Sequence, residues 1–188
     1  MLLYILIINL EDFTMKKTMV LVLVINMFML VGCGGSGGGG KASGEKYSTG
    51  AFSVQVPKGW AVTPFYRSGQ ISPNTLSVHK GTAEEYKLMS VPFLQIQLHT
   101  ESGFSGEVNA KNSFKELKDM QPVTLGKNTW KGYTGIQARG SSSMPLNYIW
   151  TEVNGANITV TVWKEMGDKK ISLDDADVKA IIASITPE

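Results

Sequence analysis

The sequence predicts an α+β domain: an antiparallel β-sheet of about six to eight strands sandwiched by a few α-helices. Three observations lead there. Alternation of apolar and polar residues with period two recurs along the chain, a helical stripe closes it, and Gly/Asn or Ser-rich turns separate the long strand candidates of an antiparallel meander.

In the first strand, Phe52, Val54 and Val56 alternate with Ser53 and Gln55, so one face is buried and the other polar. Strands over 60–66 and 75–80 follow, then a short helix around Ala83–Leu88. Leu94, Ile96 and Leu98 alternate with Gln95, Gln97 and His99. A helix is expected over 107–120, with Ala110, Phe114 and Leu117 on one side and Pro122 soon after, because proline cannot continue a helix. Strands over 122–126, 129–139 and 145–153 form the meander, and Ile158, Val160 and Val162 alternate with Thr159 and Thr161 in the last long strand. In the terminal helix Ser172 is placed as N-cap, Asp174 and Asp175 complement the dipole, and Val178, Ile181, Ile182 and Ile185 form the apolar stripe.

At 188 residues the chain holds one folded domain plus appendages. Residues 33–188 carry 16 Lys/Arg against 14 Asp/Glu, interspersed as in Lys115–Glu116–Lys118–Asp119, whereas nucleic-acid binding favours a basic stripe. Nucleic acid is therefore not an expected partner. The single cysteine forms no intramolecular disulfide, and Cys/His sets at zinc-ligand spacing are missing.

An export signal is expected over residues 1–32. Lys16 and Lys17 precede an apolar run, Met19–Val31, broken only by Asn26, and that run is shorter than the roughly 20 residues a spanning helix needs. Glu11 and Asp12 sit where a signal rarely has acid, so Met15 is the expected true start. Residues 33–45 are Gly/Ser-rich and read as a tether, with residues 46–188 as the single folded domain. A phosphate-cradling loop is not expected in the glycine tract, because the strand before it and the Lys–Ser/Thr helix after it are missing.

Leu30–Val31–Gly32–Cys33 resembles the lipobox of bacterial lipoproteins. The resemblance implies cleavage after Gly32, a diacylglycerol on the Cys33 sulfur, and a protein held outside the cytoplasm on the cell membrane or outer membrane, with the lipid bilayer as its first partner. Two or more acyl chains make such attachment durable, since each buried CH₂ contributes about 0.8 kcal/mol. Gly34 stands where enteric lipoproteins retained at the inner membrane carry Asp, so in a two-membrane cell the resemblance implies outward sorting.

A second resemblance covers residues 46–188. A strand ending in Val56–Pro57–Lys58–Gly59–Trp60, a central helix, a long meander and a terminal helix closing on Ala183–Ser184–Ile185–Thr186–Pro187 resemble the PsbP-like fold of photosystem extrinsic proteins and of a nuclear-transport accessory factor. It implies binding and assembly, though fold alone does not fix function.

Catalytic sets are not recognisable. Ser141–Ser142–Ser143 lacks the Gly-x-Ser-x-Gly elbow, and Asp174, Asp175 and Asp177 lack the calcium loop's alternation and final Glu. His79 and His99, with Glu101, are the residues a divalent metal would use. Trp130, Tyr133, Tyr148, Trp150 and Trp163 occupy both parities of the meander, so both sheet faces carry aromatic rings; Trp60 is expected as a core anchor. The expected function is a non-catalytic envelope module binding a protein or small ligand through one sheet face lined by Gln97, His99, Tyr148 and Trp150, with no cofactor. The alternatives are a metal-dependent envelope enzyme using His79 and His99, and a structural surface protein without a discrete site.

Overall fold

A computed structural model describes residues 44–87, 90–140 and 142–188; the signal segment, Met15, Cys33 and the tether up to Ser43 lie outside them. The described chain is an α+β domain of mostly antiparallel strands with three short helices. In chain order it runs β1 (Glu45–Ser48), β2 (Phe52–Val56), β3 (Trp60–Arg67), β4 (Gln70–Lys80), α1 (Ala83–Lys87), β5 (Phe93–His99), α2 (Gly106–Ser113), β6 (Lys115–Asp119), β7 (Val123–Leu125), β8 (Asn128–Arg139), β9 (Ser142–Val153), β10 (Ala156–Trp163), β11 (Glu165–Met166), β12 (Lys169–Lys170), α3 (Ala176–Ala183) and β13 (Thr186–Pro187).

The main sheet has the order β3-β4-β5-β10-β9-β8-β6, with β7 also on β8, and a smaller sheet has the order β1-β2-β13. Glu45, expected to end the tether, already pairs with Val56. Tight turns set the hairpins where residues tolerate positive φ: Ser68–Gly69 joins β3 to β4 and Asn154–Gly155 joins β9 to β10.

Registers explain the core. Leu76, Ile96, Val160 and Ile149 lie in one row across four strands and are fully buried. The row ends on Gly132, where a Cβ would strike the Tyr148 carbonyl and the Ile149 side chain. Over this face lie Phe52, Val54 and Val56 of β2 and Val178, Ile181 and Ile182 of α3, all in the same cluster with Trp130.

The expected helix over 107–120 is two elements. It ends at Ser113, and residues 115–119 pair with β8 as β6. Ala110, Phe114 and Leu117 still share one apolar cluster, so the burial pattern is right and the backbone that delivers it is different. The open edge of β8 wins because Gly135 leaves room there for Leu117, and Glu116 takes a φ of 53° to absorb the register shift. The terminal helix starts three residues after its expected cap. The Ser172 hydroxyl accepts from the Asp174 amide at 3.0 Å and Asp175 Oδ2 from the Ser172 amide at 3.2 Å, a turn that precedes the helix whose N-cap is Asp175.

Ile181→Ala is expected to destabilise the domain by about 2–5 kcal/mol, as for other fully buried aliphatic side chains. Ile71→Ala, at a side chain 57% exposed, is expected to stay within about 0.5 kcal/mol. Urea unfolding of both variants measures the contrast.

Candidate functional site

The second face of the main sheet gathers the residues singled out from the sequence. Gln97, Thr159 and Trp150 form one row, Gln95, Thr161 and Tyr148 the next, and His99 stands opposite Asn157 one row further along. The alternation of β5, β9 and β10 therefore brings Gln97, His99, Tyr148 and Trp150 to one face. Residues 104–114 roof it. Phe104 stacks on His99 with ring centroids 3.8 Å apart, Phe114 packs on Tyr148 at 5.4 Å, and the Asn109 amide donates to the Tyr148 hydroxyl at 3.0 Å. Gly106 lies flat on the Trp150 indole, where a Cβ would penetrate the ring. Tyr148 is buried, and desolvation pushes its hydroxyl up to about 12. Gln97, His99 and Trp150 are half-buried. None of the meander aromatics is exposed: helix α2 and the loop before it close the surface that aromatics on both parities would otherwise leave open.

His79 and His99 do not meet. His79 is the register partner of Phe93 at one end of β5 and His99 ends the other, six residues on, which at the usual rise is about 20 Å. They cannot share an ion. His79 is sandwiched by Tyr86 and Phe93, with centroids at 5.1 and 4.9 Å, and its Nδ1 makes no hydrogen bond. Burial without a partner pushes it down to about 4. The two ring nitrogens of His99 contact Glu101 and Thr159, both at 3.1 Å. Among the described residues no group of three or more His, Cys, Asp or Glu is placed to hold a metal. The aspartates also act singly: Asp174 pairs with Lys179, Asp175 with Lys80, and Asp177 accepts from the Trp60 indole at 3.1 Å.

An open concave site lies elsewhere, between the edge strands of the two sheets as they stand among the described residues. A groove of about 740 Å³ runs between β1 and β3 and is lined by residues including Tyr47, Val56, Pro57, Lys58, Trp60 and Val62. It forms where the core between the two sheets reaches the surface, for Tyr47, Trp60 and Val62 all pack against the main cluster. The motif Val56–Pro57–Lys58–Gly59–Trp60 builds its end. Gly59, with φ of 86°, allows the turn in which the Trp60 amide donates to the Pro57 carbonyl at 3.2 Å. Trp60 is thus a half-buried wall held to α3 through Asp177, and not a buried anchor. On the rim Lys46 pairs with Glu188 at 3.4 Å, while Lys58 has no carboxylate in ion-pair range among the described residues. The sequence hides this groove because β1 has no apolar alternation and falls at the end of the Gly/Ser-rich stretch; Val56–Pro57–Lys58–Gly59–Trp60 is the signal it carries.

No family model matches the chain, and no curated protein matches it. A crystal structure of a protein from Bacteroides thetaiotaomicron VPI-5482 is similar over 77% of this chain and 48% of that one, with a TM-score of 0.48 and 9% identity. The chain spans about half the length of that structure, and a likeness of this degree carries no conclusion about family or activity.

Because the folded-state pKa of His79 is depressed, its burial as a neutral ring stabilises fully above the unfolded value near 6.5. That stability is lost as pH falls from there towards about 4, where the folded ring also takes a proton. The expected slope is at most about 1.4 kcal/mol per pH unit. His79→Phe, which keeps the stack, is expected to flatten the dependence between about pH 6.5 and 5; urea unfolding across that range measures it.

Proposed function

We propose that the chain is a lipid-anchored protein of the bacterial envelope whose PsbP-like domain binds without catalysis, and that the groove between β1 and β3 is where it binds. The anchoring half rests on Leu30–Val31–Gly32–Cys33 behind an apolar run. The binding half rests on one observation, an apolar groove with aromatic walls and a cation at its rim, opening beside Gly44 and Glu45, where the chain leaves the tether.

Val56, Pro57 and Val62 offer an apolar floor, Tyr47 and Trp60 the walls, and Lys58 a charge with no carboxylate partner among the described residues. The volume lies in the range of small-ligand sites, about 300–1,000 Å³. That combination suits an amphiphile with an apolar body and an anionic end. Rings bury the body, and the exposed ammonium of Lys58 meets the anion at the rim. The roofed face around Tyr148 serves as a second core in this reading, and the domain's catalytic requirements are nil.

Metabolic labelling with palmitate is expected to mark the wild-type chain and not Cys33→Ser; an unlabelled wild-type protein would overturn the anchoring. For the groove, titration of the full chain with dansyl-undecanoate is expected to saturate, and Lys58→Glu to weaken it about ten-fold, roughly 1.4 kcal/mol. Equal affinity in Lys58→Glu and in Tyr47→Ala, or capture of an envelope protein that ignores both substitutions, would place the function outside the groove.

A further inference from the structure

Among the described residues four large apolar side chains stand exposed, and three of them share one place: Phe65 (42%), Tyr66 (60%) and Ile71 (57%) at the tip of the β3–β4 hairpin. The tip is a two-stranded overhang. β4 pairs with β5 only from Thr75 to His79, while Arg67, Tyr66 and Phe65 pair with Gln70, Ile71 and Ser72 alone. Tyr66 and Ile71 are cross-strand partners on one side of this ribbon, and Phe65 is on the other. A protein docking on one side would leave the opposite side wet. A medium that surrounds the tip buries both.

Residues 46–83 contain Lys46, Lys58, Arg67 and Lys80 and no Asp or Glu, so Arg67 is the one formal charge at the tip. An aromatic pair, an aliphatic residue and an arginine, with no acid, match the chemistry of an anionic membrane interface. The edge is also unsuited to adding a strand from a second copy: Pro64 and Pro73 lack amide donors, and the register shifts between Pro64 and Phe65. Reach permits contact with the membrane that holds the anchor. Twelve peptide steps from Cys33 to Glu45 extend at most about 40 Å, Glu45 and Trp60 line the same groove, and the tip lies about 25 Å from Trp60 along β3.

We infer that the β3–β4 tip is a second membrane contact, inserting Phe65, Tyr66 and Ile71 into the headgroup and upper acyl region of an anionic bilayer. This rests on the lipid-anchored reading of Cys33, and it adds that the domain lies against the bilayer in one orientation instead of hanging free. Insertion is shallow, because the outer backbone groups of a two-stranded ribbon need water or headgroups as partners.

The test uses the full chain reconstituted in vesicles of phosphatidylcholine and phosphatidylglycerol, with Ile71→Trp as reporter against the wild-type tryptophan background. Flotation with the vesicles reads anchoring, and quenching by brominated lipid reads insertion. Ile71→Trp is expected to gain bromine quenching of at least about two-fold over wild type, and adding Phe65→Ser with Tyr66→Ser is expected to remove the gain while flotation persists. An Ile71→Trp chain that floats with its reporter indole unquenched by bromine and open to acrylamide overturns the inference and leaves the anchor standing. Protection from acrylamide without bromine quenching, rising with protein concentration, overturns it in favour of a second copy. A wild-type chain that does not float overturns both.

Discussion

A sheet of eight strands with apolar residues on both faces must be covered twice, and this chain has little with which to do it. The row Leu76, Ile96, Val160 and Ile149 lies under β2 and α3, while Tyr148, Trp150 and Trp163 on the reverse lie under α2 and Phe114. Helices of eight residues each cover only part of such a sheet. The rest of the domain follows from that shortage. Aromatic rings fill the second face because few large side chains do the work of a missing helix, Gly106 and Gly135 allow close approach where covering elements must lie flat, and the first face is completed by a second sheet whose edge strand β1 pairs only with β2 among the described residues.

The groove and the overhanging hairpin arise where the covering runs out. Both involve β3, the outermost strand of the main sheet. At its start the two sheets diverge and leave Tyr47, Trp60 and Val62 around an opening. At its end it continues with β4 past β5 as a ribbon that pairs with no third strand among the described residues. Interior strands such as β10, bonded on both sides, have no such freedom.

Much of this is legible in the sequence, and the departures have physical causes. Period two locates β2, β5 and β10 because each buries one full row against a core, and Gly/Asn turns locate the meander. The stretch 114–120 departs from its expected helix because Ala110, Phe114 and Leu117 satisfy a helical stripe, yet a neighbouring strand edge offers Leu117 the same burial through a different backbone; propensity yields to tertiary pairing in such cases. Gln97, His99, Tyr148 and Trp150 share one face as expected, since register parity follows from alternation. Of their roof, the helix carrying Ala110 is legible, whereas the loop 100–105 that delivers Phe104 to His99 is not, because it has no period. Likewise nothing local in the sequence says that His79 and His99 end up at opposite ends of β5, or that Phe65 and Tyr66 outrun their neighbours.

The small sheet joins residues separated by most of the chain. β2, near the start of the domain, lies between β1 and β13, and the Glu188 amide donates to the Ala51 carbonyl at 2.9 Å. Such a clasp closes only once β13 has been synthesised, and contacts this distant in sequence form slowly. Were the chain exported as proposed above, late closure would leave the small sheet incomplete during passage, because β2 gains its second partner only when β13 arrives.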